Sequence, residues 1–215
     1  MRHSKLLRSL LDLYLGFRYR ISFHELKVEL DAAKSTVCDD LPVILVSNHV
    51  SWWDGFFLSE IQRRLFPRRP LYTFMLETEL ARFPLFRKIG VAGIRHDQPA
   101  TLLRAFRSLK NKRISEPGFC VSFFPQGKLY PQDAGPRGFK RGIETLIRSL
   151  HPVQVVPVAI RIEPLRSPKP TAILRAGAAI LSNERSIPAG LLESRIEALC
   201  REILENLSDA EGALR

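Results

Sequence analysis

The sequence predicts an α/β fold: a single layered domain with a mostly parallel sheet flanked by helices, plus an N-terminal amphipathic helix. Three observations predict it. Short apolar runs rich in Val, Ile and Phe alternate with longer stretches of helical periodicity. The 215 residues are 45% hydrophobic and 26% charged, near globular averages and enough to bury one substantial core. No internal repeat or low-complexity tract divides the chain.

Residues 5–23 fit an amphipathic helix. At about 100° per residue, Leu6, Leu7, Leu10, Leu13, Tyr14, Phe17 and Ile21 fall in one arc, with Lys5, Arg8, Asp12 and Arg20 on the other side. Such a helix either docks on a core or lies in a membrane surface, and partial docking satisfies both. Residues 1–30 are therefore read as an N-terminal membrane-interface helix region and 31–215 as the α/β domain. Within the latter, residues 42–47 read as a short, fully buried strand, followed by a helix from Trp52 to about Leu65. Pro67 and Pro70 punctuate the next link. Residues 71–75 give a second strand, and a helical stretch from Glu77 breaks near Pro84. Residues 89–94 form a third strand and 99–113 a helix with basic residues on its outer face. The clearest strand is 118–124; a loop rich in Pro, Gly and Gln leads to a helix over about 138–150. Two more strands, 153–162 and 171–176, precede a final amphipathic helix over about 188–207.

Composition excludes several classes. The three cysteines (Cys38, Cys120, Cys200) are odd in number and widely spaced, which fits neither a disulfide framework nor a zinc ribbon and does fit a reducing compartment. No stretch of about 18 apolar residues supports a spanning helix. Arg8 and Asp12 interrupt the N-terminal leucines, and no small-residue cleavage site follows, against a signal peptide. With 33 Lys and Arg against 22 Asp and Glu, the net charge is +11, which implies an acidic partner: nucleic acid, an anionic membrane or a phosphorylated substrate. The basic residues are dispersed and no helix-turn-helix or RNA-binding aromatic signature is evident, so a nucleic-acid-binding module is the remote alternative.

Functional groups in parallel sheets gather where strands end and loops begin. Two such junctions carry chemistry. In Ser47-Asn48-His49-Val50-Ser51-Trp52-Trp53-Asp54, a His follows a buried strand and an Asp lies five positions on. On one ideal helix the two would point about 140° apart. With His49 in the turn and Asp54 in the first helical turn they can meet; the carboxylate then orients the imidazole, whose other nitrogen can take a proton. Each residue also has a plain structural reading: Asp54 completes a Ser51-x-x-Asp54 capping box, His49 is a hydrogen-bonded loop residue, and Trp52 and Trp53 pack on the sheet. At the second junction, Phe124-Pro125-Gln126-Gly127-Lys128, the Gly lets backbone approach a ligand and the Lys can neutralise phosphate. Arg137-Gly138-Phe139-Lys140-Arg141-Gly142 then opens a helix, a second candidate anion site, or else an ordinary loop with solvated charges.

These segments resemble the glycerolipid acyltransferase family typified by 1-acyl-sn-glycerol-3-phosphate acyltransferases. Asn48-His49-Val50-Ser51-Trp52-Trp53-Asp54 resembles its NHxxxxD block, and Phe124-Pro125-Gln126-Gly127 its FPEG block. Phe139-Lys140-Arg141-Gly142 is similar to the F-K-x-G that follows, and Val156-Pro157-Val158-Ala159-Ile160 to the Pro-centred fourth block. Gly90 to Asp97 is similar to the second block, with His96 at the family's Arg and Arg95 just before it. Two further departures are Gln126 in place of Glu, and Lys128-Leu129 in place of Thr-Arg.

The resemblance implies an O-acyltransferase in which His49 is the general base and Asp54 its orienting partner. Asn48, Arg95, His96, Gln126, Gly127 and Lys128 would bind substrate, with amides of the Gln126–Gly127 loop as candidate oxyanion donors. The donor would be acyl-CoA or acyl carrier protein and the acceptor a lysophospholipid, in first place 1-acylglycerol-3-phosphate. Neither metal nor cofactor is required. An anionic membrane surface is the implied partner, placing the chain peripherally on a cytoplasmic face. Another lipid-alcohol acceptor, or an impaired lipid-binding homologue signalled by Gln126, are the alternatives within the same family.

Overall fold

The computed structural model describes residues 4–115, 118–182 and 187–212. Val43–Ser47 (β2) shows why its apolar run is continuous rather than alternating: all five residues are buried on both faces of a sheet. Its neighbours are Cys120–Phe123 (β5) and Gln154–Glu163 (β6), both parallel to it. Leu71–Leu76 (β3) and Val91–Ile94 (β4) extend the sheet on one side, again in parallel. On the other side Thr171–Ala176 (β7) runs antiparallel to β6, and Glu25–Glu29 (β1) pairs parallel to β7 at the edge. The order is β1-β7-β6-β2-β5-β3-β4, and the short Ile180–Leu181 (β8) shares the edge of β6 with β7. The sheet is thus mostly parallel, as the sequence predicts.

Helices cover both faces. Asp31–Lys34 (α2) and Asp54–Leu65 (α3) lie on one, where Phe57, Leu58 and Ile61 pack against Val43, Leu45 and Val158. Glu77–Arg82 (α4) and a 3-10 turn at Pro84–Lys88 lead into β4. Pro99–Ser115 (α5), Gly142–Leu150 (α6) and Ala189–Gly212 (α7) cover the other face, burying Phe106, Leu109, Leu146 and Ile196 against Ile44, Val46 and Val121.

The N-terminal helix, Lys5–Ser22 (α1), forms as predicted but docks the other way round. Leu6, Leu10, Leu13, Tyr14, Phe17 and Ile21 of the apolar arc are exposed. The side carrying Arg8, Asp12, Leu15 and Tyr19 meets the body. The Arg8 guanidinium pairs with Asp12 at 3.0 Å and donates to Ser59 and Gln62 of α3. Leu15 is buried, and Tyr19 packs on Trp53 and Phe57. Only Leu7 of the arc turns inward, joining Leu11 against Leu80, Ile89 and Val91. A polar network and two aromatic contacts thus define the docked side, and the apolar stripe is left unpartnered.

Three differences from the sequence reading have local causes. The expected boundary at residue 30 falls just after β1, a strand of the main sheet, so Glu25–Glu29 belong to the domain's sheet rather than to a region set beside it. The Glu-Leu-Lys-Val-Glu of β1 carries charges typical of an edge strand and has only two apolar residues to signal it. The helix expected from about 138 begins at Gly142, because Gly138 (φ +75°) and the Lys140 amide bond to Pro125 O (3.0 Å) hold the preceding segment irregular.

The cysteines yield a direct test. Burial pushes the Cys120 thiol up to about 12 and the Cys200 thiol up to about 11, whereas Cys38 is only half-buried. Iodoacetamide at about pH 8 is expected to add one label to the native protein, mapping to Cys38, and three after denaturation. Native labelling of Cys120 or Cys200, read by peptide mass spectrometry, would contradict this packing.

Candidate active site

His49 lies just past the C-terminal end of β2, and Asp54 opens α3. Between them the chain makes a turn organised by the Asp54 carboxylate. Its Oδ2 accepts from the amides of Val50 (2.6 Å) and Ser51 (2.9 Å), and its Oδ1 from the Ser51 hydroxyl (2.5 Å). Ser51 Oγ in turn accepts from the Trp53 amide. Ser51 and Asp54 thus bond one another across the turn, although Trp53 rather than Ser51 directly precedes α3, and this structural role coexists with the other one. The same Oδ2 stands 2.7 Å from His49 Nδ1. Asp54 is wholly buried, while a quarter of the His49 side chain is exposed. This geometry puts a proton on Nδ1 facing the carboxylate and leaves Nε2 as the free lone pair.

Further contacts hold the ring and the backbone around residue 49. Its ring stacks on Phe124, with centroids 4.3 Å apart. The His49 amide donates to Gln126 Oε1 at 2.7 Å, and the His49 carbonyl accepts from the Tyr130 amide at 2.9 Å. Immediately before it, Asn48 Nδ2 donates to Ile160 O and Asn48 Oδ1 accepts from Ile160 N, both at 2.9 Å. The buried Asn48 amide thus continues the β2–β6 ladder beyond the last strand residue, and its polar ends face β6 rather than open space. Gln126, also buried, completes a clamp by donating from Nε2 to Arg137 O at 3.3 Å. Both residues act on the site by positioning His49.

Gln126 therefore does two things at once, and a test separates them. Gln126→Leu would leave the His49 amide without its acceptor, at a cost of about 1–3 kcal/mol, and would free the imidazole to drift. A loss of turnover of about tenfold or more is expected. Gln126→Glu keeps the acceptor and loses only the donor to Arg137 O, so turnover should stay within about fivefold. Equal losses in both variants, with unchanged thermal midpoints, would show that the clamp is not what matters.

The two basic residues of the second block diverge. His96 approaches the Gly127 turn: a Cβ on Gly127 would stand 3.9 Å from His96 Cε1 and 3.3 Å from Lys140 Nζ. Gly127 has φ +70°, so the turn itself requires glycine, and the absent side chain leaves room for the two basic groups. Arg95 points elsewhere, pairing with Asp97 at 2.9 Å beside β4 and α5. Lys128 is exposed and lies over the Tyr130 ring, 4.9 Å from its centroid. The Gly127 amide is occupied by Phe124 O at 3.1 Å, so it is not a free oxyanion donor. The sequence reading brought Lys140 into an anion segment but not into the site. Its signal was the Phe139-Lys140-Arg141-Gly142 run, and what the letters lacked was the fold-back that hangs Lys140 over Gly127 through the bond to Pro125 O.

Among the described residues no group of three or more His, Cys, Asp or Glu is placed to hold a metal ion. The arrangement can accept one proton at Nε2, stabilise the resulting imidazolium through Asp54, and hold an anion at Lys140 and His96. No individual curated protein matches the chain. The family model described as Acyltransferase matches residues 27–161, more than half of the chain, and spans every element that builds this site. The chain therefore belongs to the acyltransferase family of 1-acyl-sn-glycerol-3-phosphate acyltransferase-like enzymes.

Proposed function

We propose that this acyltransferase moves a fatty acyl group from an acyl thioester, acyl-CoA or acyl carrier protein, to the hydroxyl of a lysophospholipid-type acceptor, in first place 1-acylglycerol-3-phosphate. The observation that carries the reading is the 2.7 Å contact between His49 Nδ1 and Asp54, which leaves Nε2 toward the exposed side of the site. Nε2 takes the proton of the acceptor hydroxyl as its oxygen attacks the thioester carbonyl. The C–O bond forms, the C–S bond breaks, and the departing thiolate recovers the proton from the imidazolium. The acceptor oxygen is itself the nucleophile, so no acyl-enzyme arises, and the scheme uses no metal or cofactor. Lys140 and His96 hold the acceptor's phosphate beside Gly127.

The acceptor is a membrane lipid, so the reading includes peripheral binding to the cytoplasmic face of an anionic membrane. No helix among the described residues is long and apolar enough to cross a bilayer. Support for surface binding comes from α1, whose stripe of Leu6, Leu10, Leu13, Tyr14, Phe17 and Ile21 is exposed, and from the net charge of +11. Trp52, also exposed, follows His49 by three residues and is packed against Phe56 and Phe83. An apolar surface thus borders the site from which a lipid hydroxyl would arrive.

The test is incubation of the purified chain with labelled acyl-CoA and a panel of acceptors, read by mass spectrometry. The panel includes lysophosphatidate, a neutral lysolipid and a glycolipid alcohol. Diacyl product from lysophosphatidate is expected to dominate. A preference for the uncharged acceptors would remove the phosphate role of Lys140 and His96. Absence of any acyl ester would overturn the reading.

A further inference from the structure

Four aromatic rings join the catalytic turn to the 3-10 turn at Pro84–Lys88. Between ring centroids, Trp52 lies 4.9 Å from Phe56 and 6.4 Å from Phe83. Phe83 stacks on Phe86 at 5.5 Å, and Phe86 meets Phe56 at 6.0 Å. Resting on the membrane reading above, we propose that Trp52 and Leu85 of this turn insert into the headgroup layer of an anionic bilayer, so that the rim of the active site meets lipid in its own right and not only through α1.

The turn presents apolar groups rather than hiding them. Pro84 at its start fixes φ and stiffens the segment. Leu85, between Phe83 and Phe86, is 59% exposed, and Trp52 is 55% exposed. Phe56, Phe83 and Phe86 are only half-buried. One exposed apolar side chain is ordinary, but a connected patch of five marks a contact surface. An indole ring, apolar with one polar edge, suits headgroup depth. The patch has little net charge of its own: Arg82 pairs with Glu79 at 3.2 Å and Arg87 pairs with Glu77, leaving Lys88 beside them. Insertion here is therefore driven by apolar burial, while the chain's net charge of +11 supplies the attraction to anionic lipid.

Continuity with α1 names the occupant. Near the start of α1, the Ser4 amide bonds to Lys88 O at 2.7 Å, and Leu7 and Leu11 share the Leu80, Ile89 and Val91 cluster with Phe86. Leu10 and Tyr14 follow Leu7 at i+3 and i+7, so the exposed stripe adjoins the side of α1 that meets the turn. Further along, Tyr19 lies 5.7 Å from Trp53 between centroids, and Trp53 meets Trp52 edge-on at 5.5 Å. α1 thus borders the patch in both its halves, and a bilayer that takes the stripe lies beside Leu85 and Trp52. A protein partner over Trp52 would stand between that bilayer and His49, three residues away, where a lipid hydroxyl must arrive.

The experiment sediments the full chain with vesicles of phosphatidylcholine and phosphatidylglycerol and reads tryptophan fluorescence. Trp52 and Trp53 are the only tryptophans, so Trp53→Phe makes Trp52 the sole reporter. Lipids brominated high on the acyl chain are expected to quench most of its emission. Leu85→Asp is expected to weaken vesicle binding by about tenfold against wild type, at low and high salt alike, whereas Leu85→Phe keeps it. The side chain is exposed, so the thermal midpoint should not move. For lysophosphatidate embedded in vesicles, Leu85→Asp should raise KM by about the same factor and leave kcat unchanged. For a short-chain lysophosphatidate dissolved as monomer, KM should stay within about twofold. Unquenched Trp52 in protein that still sediments overturns the inference and leaves α1 as the membrane contact. So does unchanged binding of Leu85→Asp, or an equal KM rise for the dissolved acceptor, which would make Leu85 an acceptor contact instead. A wild type that sediments with no vesicle removes this inference and the membrane reading together. Quenched Trp52 in a protein that acylates no acceptor keeps the insertion and removes the proposed reaction.

Discussion

His49→Ala is expected to lower turnover by about 100-fold or more, the usual consequence of losing a general base. It is a clean variant because the structure isolates the imidazole's chemical task from its structural one. Asp54 keeps its bonds from the Val50 amide, the Ser51 amide and the Ser51 hydroxyl when the ring is removed. The backbone contacts of residue 49 with Gln126 and Tyr130 also survive, since neither uses the side chain. The losses to the fold are the stack on Phe124, worth about 0.5–1.5 kcal/mol, and the Nδ1 bond to the buried Asp54 carboxylate, worth about 1.5–3 kcal/mol. A His49→Ala protein with nearly native thermal stability and wild-type turnover would rule out the proposed base. Asp54→Ala is a poorer probe. It leaves two amides and a hydroxyl at the start of α3 without their acceptor, so lost activity and lost structure would arrive together.

The second large effect concerns α1. Leu10→Glu, Leu13→Glu and Phe17→Glu combined are expected to reduce sedimentation with anionic vesicles by about 100-fold or more. Three inserted side chains at roughly 1.5 kcal/mol each exceed the about 2.7 kcal/mol that such a drop needs. All three side chains point to solvent, at 55%, 76% and 63% exposure, so circular dichroism and thermal midpoint should hardly change. Deleting the helix would be a worse experiment. It would remove Arg8 from Ser59 and Gln62, Leu15 from its buried place and Tyr19 from Trp53 and Phe57, and so injure the domain itself. Vesicle binding that survives the triple substitution would exclude the stripe as the membrane contact. Binding that survives it but disappears with added salt would assign the attraction to the basic surface instead.

Much of the fold was legible because its signals are local. The buried strands β2, β5 and β6 are short, mostly apolar and rich in Val, Ile and Phe, and the helices between them carry a 3.6-residue period. The edge strand β1 was not legible. Its partner is β7, some 150 residues away, and three of its five residues are charged. The orientation of α1 was hidden for a related reason. An apolar stripe states that one side avoids water, but not whether protein or lipid covers it. That answer came from Arg8 and Asp12, which look like solvent-facing charges in the sequence and instead form the docking contact with α3.

The letters by themselves determined the layered α/β class, the pairing of a histidine with an aspartate across one turn, and an excess of positive charge. Each follows from neighbours within a few residues or from a sum over the chain. Tertiary structure alone decided the rest: that Gln126 and Asn48 clamp His49 from two different strands' ends, that Lys140 joins His96 over Gly127, and that Arg95 turns away toward α5. The two clamp contacts join segments 112 and 77 residues apart. Their geometry is set by strand register and by loops folding back, neither of which a local pattern encodes.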